Sequence, residues 1–292
     1  MLVSLMISTY NWKEALSLCL YSAFAQTVKP CEILIADDGS RDDTKQLIDK
    51  MRTKTDIPIV HVWHEDKGFR LSAIRNRSIE RAKGDYIIQI DGDILLDKHF
   101  IADHLELAEK GYFVCGSRVL LGRMATARLL RGVETHPALF KQDLSFLLNA
   151  FRSHTLRLYL ANRYAKNSML RIRGCNMAFW KEDLLRVNGY NESLEMWGQE
   201  DVEISYRLIH AGIQKKQLKM GGVQFHLYHK FASRENLEYH EQVLRQVIAE
   251  RIVWCEKWNR ERRTKGIKKI MDETKGKEEA EKRQLSLGFD EL

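Results

Sequence analysis

A chain of 292 residues, 44% hydrophobic and 30% charged, is long enough for one large domain or two small ones with a proper core. Its net charge of +7 points to an anionic partner, whether nucleic acid, a phosphate-bearing substrate or an acidic membrane surface. Five cysteines (Cys19, Cys31, Cys115, Cys175, Cys255), odd in number and without C-x-x-C spacing, exclude a disulfide framework or zinc ribbon, and no apolar run approaches the roughly 18 residues of a membrane span.

Leu2 to Ser8 is a short apolar run suited to a central strand, broken by Thr9-Tyr10-Asn11. From Lys13 to Gln26 the apolar residues fall at helical spacing, and Pro30 closes that element. Glu32 to Ala36 reads as a second buried strand ending in Asp37-Asp38-Gly39-Ser40, and Ser40 or Asp42 can cap the helix that follows. A third strand, Ile59 to Trp63, a helix over Leu71 to Ala82 and a fourth strand from Tyr86 complete the alternation of a parallel α/β sheet. Ligands of such sheets bind beyond the carboxyl ends of the strands, where all of these polar clusters fall.

The fourth strand ends in Asp91-Gly92-Asp93. Ionised carboxylates beside a core are costly unless a cation meets them, so Asp-x-Asp reads as a divalent-metal site. A plain turn is the alternative, because Asp and Gly are ordinary turn residues. From Gly116 to Arg173 the chain carries eleven Lys or Arg against two acids, a net +9, so the rest sums to −2. Leucines and phenylalanines interleave with those arginines. Either this segment is a helical excursion packed on the sheet with a solvated basic side, or it is a surface for an anionic membrane.

Beyond it come "RGCNMAFW", a helix start at Lys181, "WGQEDVEISYRL", and a short strand around Val223 to Leu227 near His226 and His229. After Phe231 one long helical stretch is expected to run past Trp254 and Trp258 into a charge-dense tail from Arg260. The chain enters an apolar run at once, without the basic start of an export signal. It reads as cytoplasmic, with a peripheral place on the inner face of the cell membrane left open.

The blocks "VSLMISTYN", "ILIADDGSRDDT", "GFRLSAIRNRSI" and "IIQIDGDILL" resemble the family-2 glycosyltransferases of GT-A fold. "RGCNMAFWKEDL…GYNE…WGQEDVEISYRL" is similar to the galactosyltransferase-type segment of β-1,4-galactosyltransferases and bacterial chondroitin-polymerase-like enzymes. That resemblance implies a Rossmann-like, mostly parallel sheet flanked by helices. Residues 1–235 would form the GT-A domain, 116–172 a basic helical insertion, and 236–292 a helical, charge-rich appendage.

It further implies a Mn²⁺ or Mg²⁺ ion held by Asp93 and His226, with His229 second and Asp91 on the metal, through water, or on the ribose. Asp38 would accept the uracil N–H with Asp37 orienting it, Ser8 and Tyr10 would touch the base, and Arg70 would meet phosphate or uracil oxygens, while Arg75 and Arg77 stay undecided between site and helix face. On the acceptor side Asp201 would be the general base and Glu200 a ligand of the acceptor hydroxyl, with Trp197 and Gly198 forming the sugar platform. The same acids also suit a helix N-terminus. Gln199 and Val202 depart from the galactosyltransferase pattern, which leaves the donor sugar open.

The expected activity is inverting, metal-dependent transfer of a hexose or N-acetylhexosamine from a UDP-sugar to a hydroxyl of a saccharide, lipid-linked or free, in bacterial surface polysaccharide synthesis. The rivals are a nucleotidyltransferase, whose glycine-rich loop "STYNWKEA" lacks, and a non-enzymatic basic membrane- or nucleic-acid-binding protein, which leaves both acid motifs unexplained. Nucleic acid is not expected as a partner.

Overall fold

The structure, a computed structural model, describes residues 1–134, 137, 144–166, 168–230, 236–256 and 258. The expected tail from Arg260 lies outside the described residues.

β1 (Val3–Thr9), α1 (Lys13–Phe24), β2 (Glu32–Asp37), α2 (Asp42–Arg52), β3 (Ile59–Trp63), α3 (Leu71–Arg81) and β4 (Tyr86–Asp91) alternate as expected. β5 (Ile94–Leu96), α4 (Phe100–Leu107), β6 (Tyr112–Cys115), β7 (Val119–Leu121), α5 (Arg123–Leu130), β8 (Leu144–Ser145) and α6 (His154–Ala161) follow. The chain continues through β9 (Met177–Trp180), α7 (Lys181–Arg186), α8 (Glu200–His210), β10 (Gln214–Gln217), β11 (Gln224–His226) and α9 (Leu237–Ala249).

Seven strands form the main sheet in the order β10-β6-β9-β4-β1-β2-β3. β1 lies parallel to both β2 and β4, pairing Ser8 with Ala36 on one side and with Asp91 on the other. β1 and β2 are buried along their whole length, which is why both read as near-continuous apolar runs. β9 runs antiparallel to β4 and β6, so the sheet is mixed. Strand order reverses direction between β1 and β4, and the crevice at that switch point is where Ser8, Asp37 and Asp91 end their strands.

A second sheet, β5-β11-β7-β8, sits at this edge. It corrects the helical reading of residues 116–172. Their first part forms β7, parallel to β11 and antiparallel to β8, before α5 and α6. A three-residue strand is too short to show an alternating period. Its Leu121 packs with Ala15, Leu95, Ala125, Leu129 and Leu227 in a small core of its own.

The long C-terminal helix is also shorter than expected. α9 stops at Ala249, Arg251 turns into the left-handed region (φ 51°), and Trp258 packs back into the main core. Asn188 Nδ2 donates to the Cys255 carbonyl at 2.5 Å and Cys255 N–H to the Val187 carbonyl at 3.1 Å, which ties the segment down. All five cysteines are free thiols, with Cys31 half-buried and the others buried.

Candidate active site

Asp37 and Asp38 close β2, and each meets a histidine that the sequence reading did not select. His61 Nε2 donates to Asp37 Oδ2 at 2.7 Å, and the other oxygen of Asp37 accepts the Ser40 N–H at 2.8 Å. His64 Nε2 donates to Asp38 Oδ1 at 2.5 Å, while Asp38 Oδ2 accepts the Arg70 backbone N–H at 2.8 Å. Burial lifts the Asp38 carboxyl above its ordinary range, against the pull of His64 and the Arg70 N–H. Arg70 therefore reaches Asp38 through its backbone. Its Nη2 donates to the Glu65 carbonyl at 2.5 Å, and its Nε is buried without a partner among the described residues. Tyr10 is half exposed, with its hydroxyl donating to Asp66 at 2.9 Å.

The centre of the site is Arg75, on the inner face of α3, whose side chain is 1% exposed. Nη1 lies 3.0 Å from Asp201 Oδ1 and 3.5 Å from Glu200 Oε1, Nη2 lies 3.5 Å from Asp91 Oδ1, and Nε donates to Ser8 Oγ at 3.3 Å. The ring of Tyr190 lies 5.3 Å from the guanidinium carbon. Burial opposes this charge, but Asp201, Tyr190, Asp91 and Glu200 outweigh it and hold the arginine firmly protonated. One cation thus joins the strand-end acid of β4 to both acids that open α8. The next residue, Asn76, bonds the Tyr190 backbone at both ends, receiving its N–H at 2.8 Å and donating to its carbonyl at 2.9 Å.

Asp201 Oδ1 also accepts Gln89 Nε2 at 3.3 Å. Tyr190 carries one hydroxyl proton, directed at Gln89 Oε1 2.8 Å away, with Asp201 Oδ1 a second neighbour at 3.3 Å. The second carboxylate oxygen accepts no hydrogen bond among the described residues and lies over Gly174. A Cβ built there would stand 1.8 Å from it, so "RGC" needs its glycine for the carboxylate to fit. Glu200 is buried, with Oε2 unpartnered, and burial with the neighbouring Asp201 charge pushes it up to about 8. Asp91 is pushed up to about 6, first by burial and against the pull of Arg75.

Asp93 faces the other way, toward the second sheet. Its Oδ2 lies 3.7 Å from His226 Nε2 and 3.2 Å from His229 Nε2, and these three residues form a group that could hold a metal ion. His226 Nδ1 meets the Leu227 carbonyl at 2.8 Å and His229 Nδ1 the Lys230 carbonyl at 2.7 Å. Those bonds assign the proton to Nδ1 in the neutral rings and aim the Nε2 lone pairs at Asp93. Burial lowers the His226 pKa and so favours its neutral form. Asp93 Oδ1 is buried with no hydrogen-bond partner among the described residues. Lone pairs converging on a carboxylate fit a divalent cation, and two imidazoles suit Mn²⁺ better than Mg²⁺, which favours oxygen ligands. Asp91 is not among these three residues. Its carboxylate lies 3.5 Å from Arg75 Nη2.

Trp197, just before the acids that open α8, is exposed. Gly198 answers to packing, because a Cβ there would meet His240 Nδ1 of α9 at 1.9 Å. One cation was missed altogether. Arg118, just before β7, is largely buried, its Nη1 contacts the Cys175 sulfur at 3.4 Å, and its charge acts on Asp91, Asp93 and His226. Arg77 is exposed and stays on the helix face.

Residues 4–177 match the family described as Glycosyl transferase family 2, and residues 156–230 match the N-terminal domain of galactosyltransferase. The chondroitin synthase of Pasteurella multocida is 29% identical over 245 residues, 77% of this chain and 24% of that protein. The chondroitin synthase of Escherichia coli is 24% identical over 246 residues, 77% of this chain and 34% of that protein. The chain therefore spans only about a quarter to a third of the length of these two relatives. The GalNAc(5)-diNAcBac-PP-undecaprenol β-1,3-glucosyltransferase of Campylobacter jejuni is 25% identical over 194 residues, covering 65% of this chain and 60% of that protein.

Two solved structures share the fold. S. aureus TarS superposes with a TM-score of 0.58 at 18% identity, over 86% of this chain and 39% of that one. The mannosyltransferase PcManGT from Pyrobaculum calidifontis superposes with a TM-score of 0.52 at 17% identity, over 76% and 56%. Acids gathered at the carboxyl ends of a mixed GT-A sheet, with a family match running from Ser4 to Met177, make this chain a member of glycosyl transferase family 2.

Proposed function

We propose that this glycosyltransferase moves a hexose or N-acetylhexosamine from a UDP-sugar to a hydroxyl of a growing saccharide, with inversion and with a divalent metal. The observation that carries this reading is the shared guanidinium. Arg75 holds the donor-side Asp91 and the acceptor-side Asp201 and Glu200 in one buried network, so the two halves of a transfer site are fixed at one spacing. Membership of family 2 sets aside the nucleotidyltransferase and non-enzymatic alternatives.

Asp201 is the general base. Arg75 and Gln89 hold its first oxygen, and the oxygen over Gly174 takes the proton of the attacking hydroxyl. Glu200, pushed up to about 8, keeps its proton at neutral pH and donates it in a hydrogen bond to an acceptor oxygen. Trp197 supports the acceptor sugar ring. Asp38 takes the uracil N–H, with Asp37, Ser8 and Tyr10 around the base and Arg70 near the nucleotide. Arg118 adds positive charge on the diphosphate side. Asp93, His226 and His229 would hold a divalent cation, which when bound would supply Lewis-acid neutralisation of the departing nucleoside diphosphate.

Relatives from Escherichia coli and Campylobacter jejuni are named for diphosphoundecaprenol-linked saccharides, which supports a lipid-linked acceptor in surface polysaccharide synthesis. Such an acceptor places the enzyme at the inner face of the cell membrane. No helix among the described residues is long and apolar enough to cross a membrane.

A panel of UDP-sugars assayed for acceptor-dependent UDP release, with Mn²⁺ and with chelator, tests the proposal. Asp93→Ala should abolish release and the metal-dependent thermal stabilisation by UDP. Full activity in chelator, or in Asp93→Ala, would overturn the metal-dependent mechanism.

A further inference from the structure

Nine of the nineteen large apolar side chains exposed among the described residues fall within residues 124–159. Phe146, Leu148 and Phe151 stand 66%, 75% and 55% exposed in a 3₁₀ turn (Leu147–Ala150) and its flanks. Leu156, Leu158 and Tyr159 of α6 are also exposed. The polarity here is inverted, because the groups that anchor the segment are polar ones. Asn149 Nδ2 donates to the Arg118 carbonyl at 2.7 Å, and the Ser153 backbone N–H donates to the Met220 carbonyl at 3.0 Å. Arg157, buried in α6, lies 3.3 Å from Asp103, and Arg152 donates to the same carboxylate at 2.9 and 2.6 Å. A segment held inward by polar groups and turned outward by leucine and phenylalanine has no apolar cover among the described residues, and such a patch marks an interaction surface.

The charges beside it say which partner. Arg163, 4.4 Å from the Tyr159 ring, and Arg171, over the Tyr164 ring beside the Lys219 that bonds Asn149, are exposed and have no carboxylate within ion-pair distance among the described residues. Two copies of the chain meeting on this surface would bring those cations against one another. We propose that this surface docks on an anionic lipid bilayer, with Phe146, Leu148 and Phe151 entering the headgroup region and the arginines on lipid phosphates. β7, against which the 3₁₀ turn packs, pairs with the strand carrying His226. The 3₁₀ turn of this surface and His226 of the metal group therefore meet through neighbouring strands of one small sheet. This inference rests on the surface alone and does not depend on the acceptor being lipid-linked.

The test is co-sedimentation of the full chain with vesicles of phosphatidylcholine alone or with one third phosphatidylglycerol. It is run at ionic strengths of about 0.1 and 1 M, between which the screening length falls from about 10 to 3 Å. Binding should need the anionic lipid and weaken at least tenfold at high salt. Phe146→Ser with Leu148→Ser and Phe151→Ser should weaken it at least tenfold while the melting temperature stays unchanged. Should that triple variant fold poorly, Arg163→Glu with Arg171→Glu carries the test, with the same loss expected. Equal binding to neutral vesicles, binding to neither, or wild-type binding by the variants would overturn the proposal. So would a wild-type dimer that the triple variant turns into a monomer, since a second copy would then be what covers the patch.

Discussion

Arg75→Met keeps the reach and apolar stem of side chain 75 and removes its charge. The loss leaves Asp201, Glu200 and Asp91 facing one another in a pocket whose cation was 1% exposed. Of these contacts only the one to Asp201, at 3.0 Å, is short enough for a full charge-assisted hydrogen bond, about 1.5–3 kcal/mol. The two at 3.5 Å add longer-range attraction, and breaking a buried ion pair from one side costs about 3–5 kcal/mol.

Proton uptake can relieve that cost, and the pocket is poised for it. Burial pushes Glu200 up to about 8 and Asp91 up to about 6, so near pH 5.5 both largely hold protons and Arg75 faces less negative charge. Above pH 8 both are mostly ionised and lose most when the arginine goes. In the variant both pKa values rise further. The folded state then binds more protons than the unfolded one over a wider range, and stability falls more steeply with rising pH. The expected loss is therefore about 1–2 kcal/mol near pH 5.5 and about 3–5 kcal/mol near pH 8.5. Urea unfolding at the two pH values measures it. A loss independent of pH, or below about 1 kcal/mol at the higher pH, would refute the claim that this charge holds the acids together.

Glu200→Gln should show the opposite pH trend. Between its ordinary 4.5 and about 8 the folded wild type keeps a proton that the unfolded chain releases, so wild-type stability declines across that window. The amide has no such decline, and Glu200→Gln should gain up to a few kcal/mol over wild type from about pH 5 to 8.5, at about 1.36 kcal/mol per pKa unit. Parallel stability curves would argue against a protonated Glu200. Asp201→Asn should lower kcat by roughly 10²–10⁴-fold with UDP affinity near wild type by calorimetry. Retention of most of kcat would move the base elsewhere. Gly174→Ala should also cut kcat, because its methyl would displace the Asp201 oxygen 1.8 Å from the built Cβ. Full activity in that variant would show that the carboxylate works from another position.

The sequence determined four of the seven strands of the main sheet, β1 to β4, because buried parallel strands are written as short apolar runs, whereas β10, Gln214–Gln217, is polar and gave no such signal. It also placed Asp37, Asp38, Asp91 and Asp93 at strand ends, since a carboxylate that interrupts such a run can only stand where the core stops. "WGQED" opened α8 as read, and His226 and His229 came beside Asp93. Several features were decided by the tertiary structure alone. Asp91 and Asp93 are two residues apart with identical chemistry, yet one turns to Arg75 and the other to the histidines, because the chain leaves Asp93 into β5, whose Ile94 pairs with His226 of β11. The end of α9 depends on Trp258 and Cys255 returning to the core, and no local signal precedes Arg251. Arg75 sits in a run of arginines with Arg70 and Arg77, and nothing local separates it from them. What separates it is its company, Asp91 and Asp201, 16 and 126 residues away. A side chain's periodicity is written locally, but the worth of a buried charge is set by which opposite charges the fold brings within a few ångströms of it.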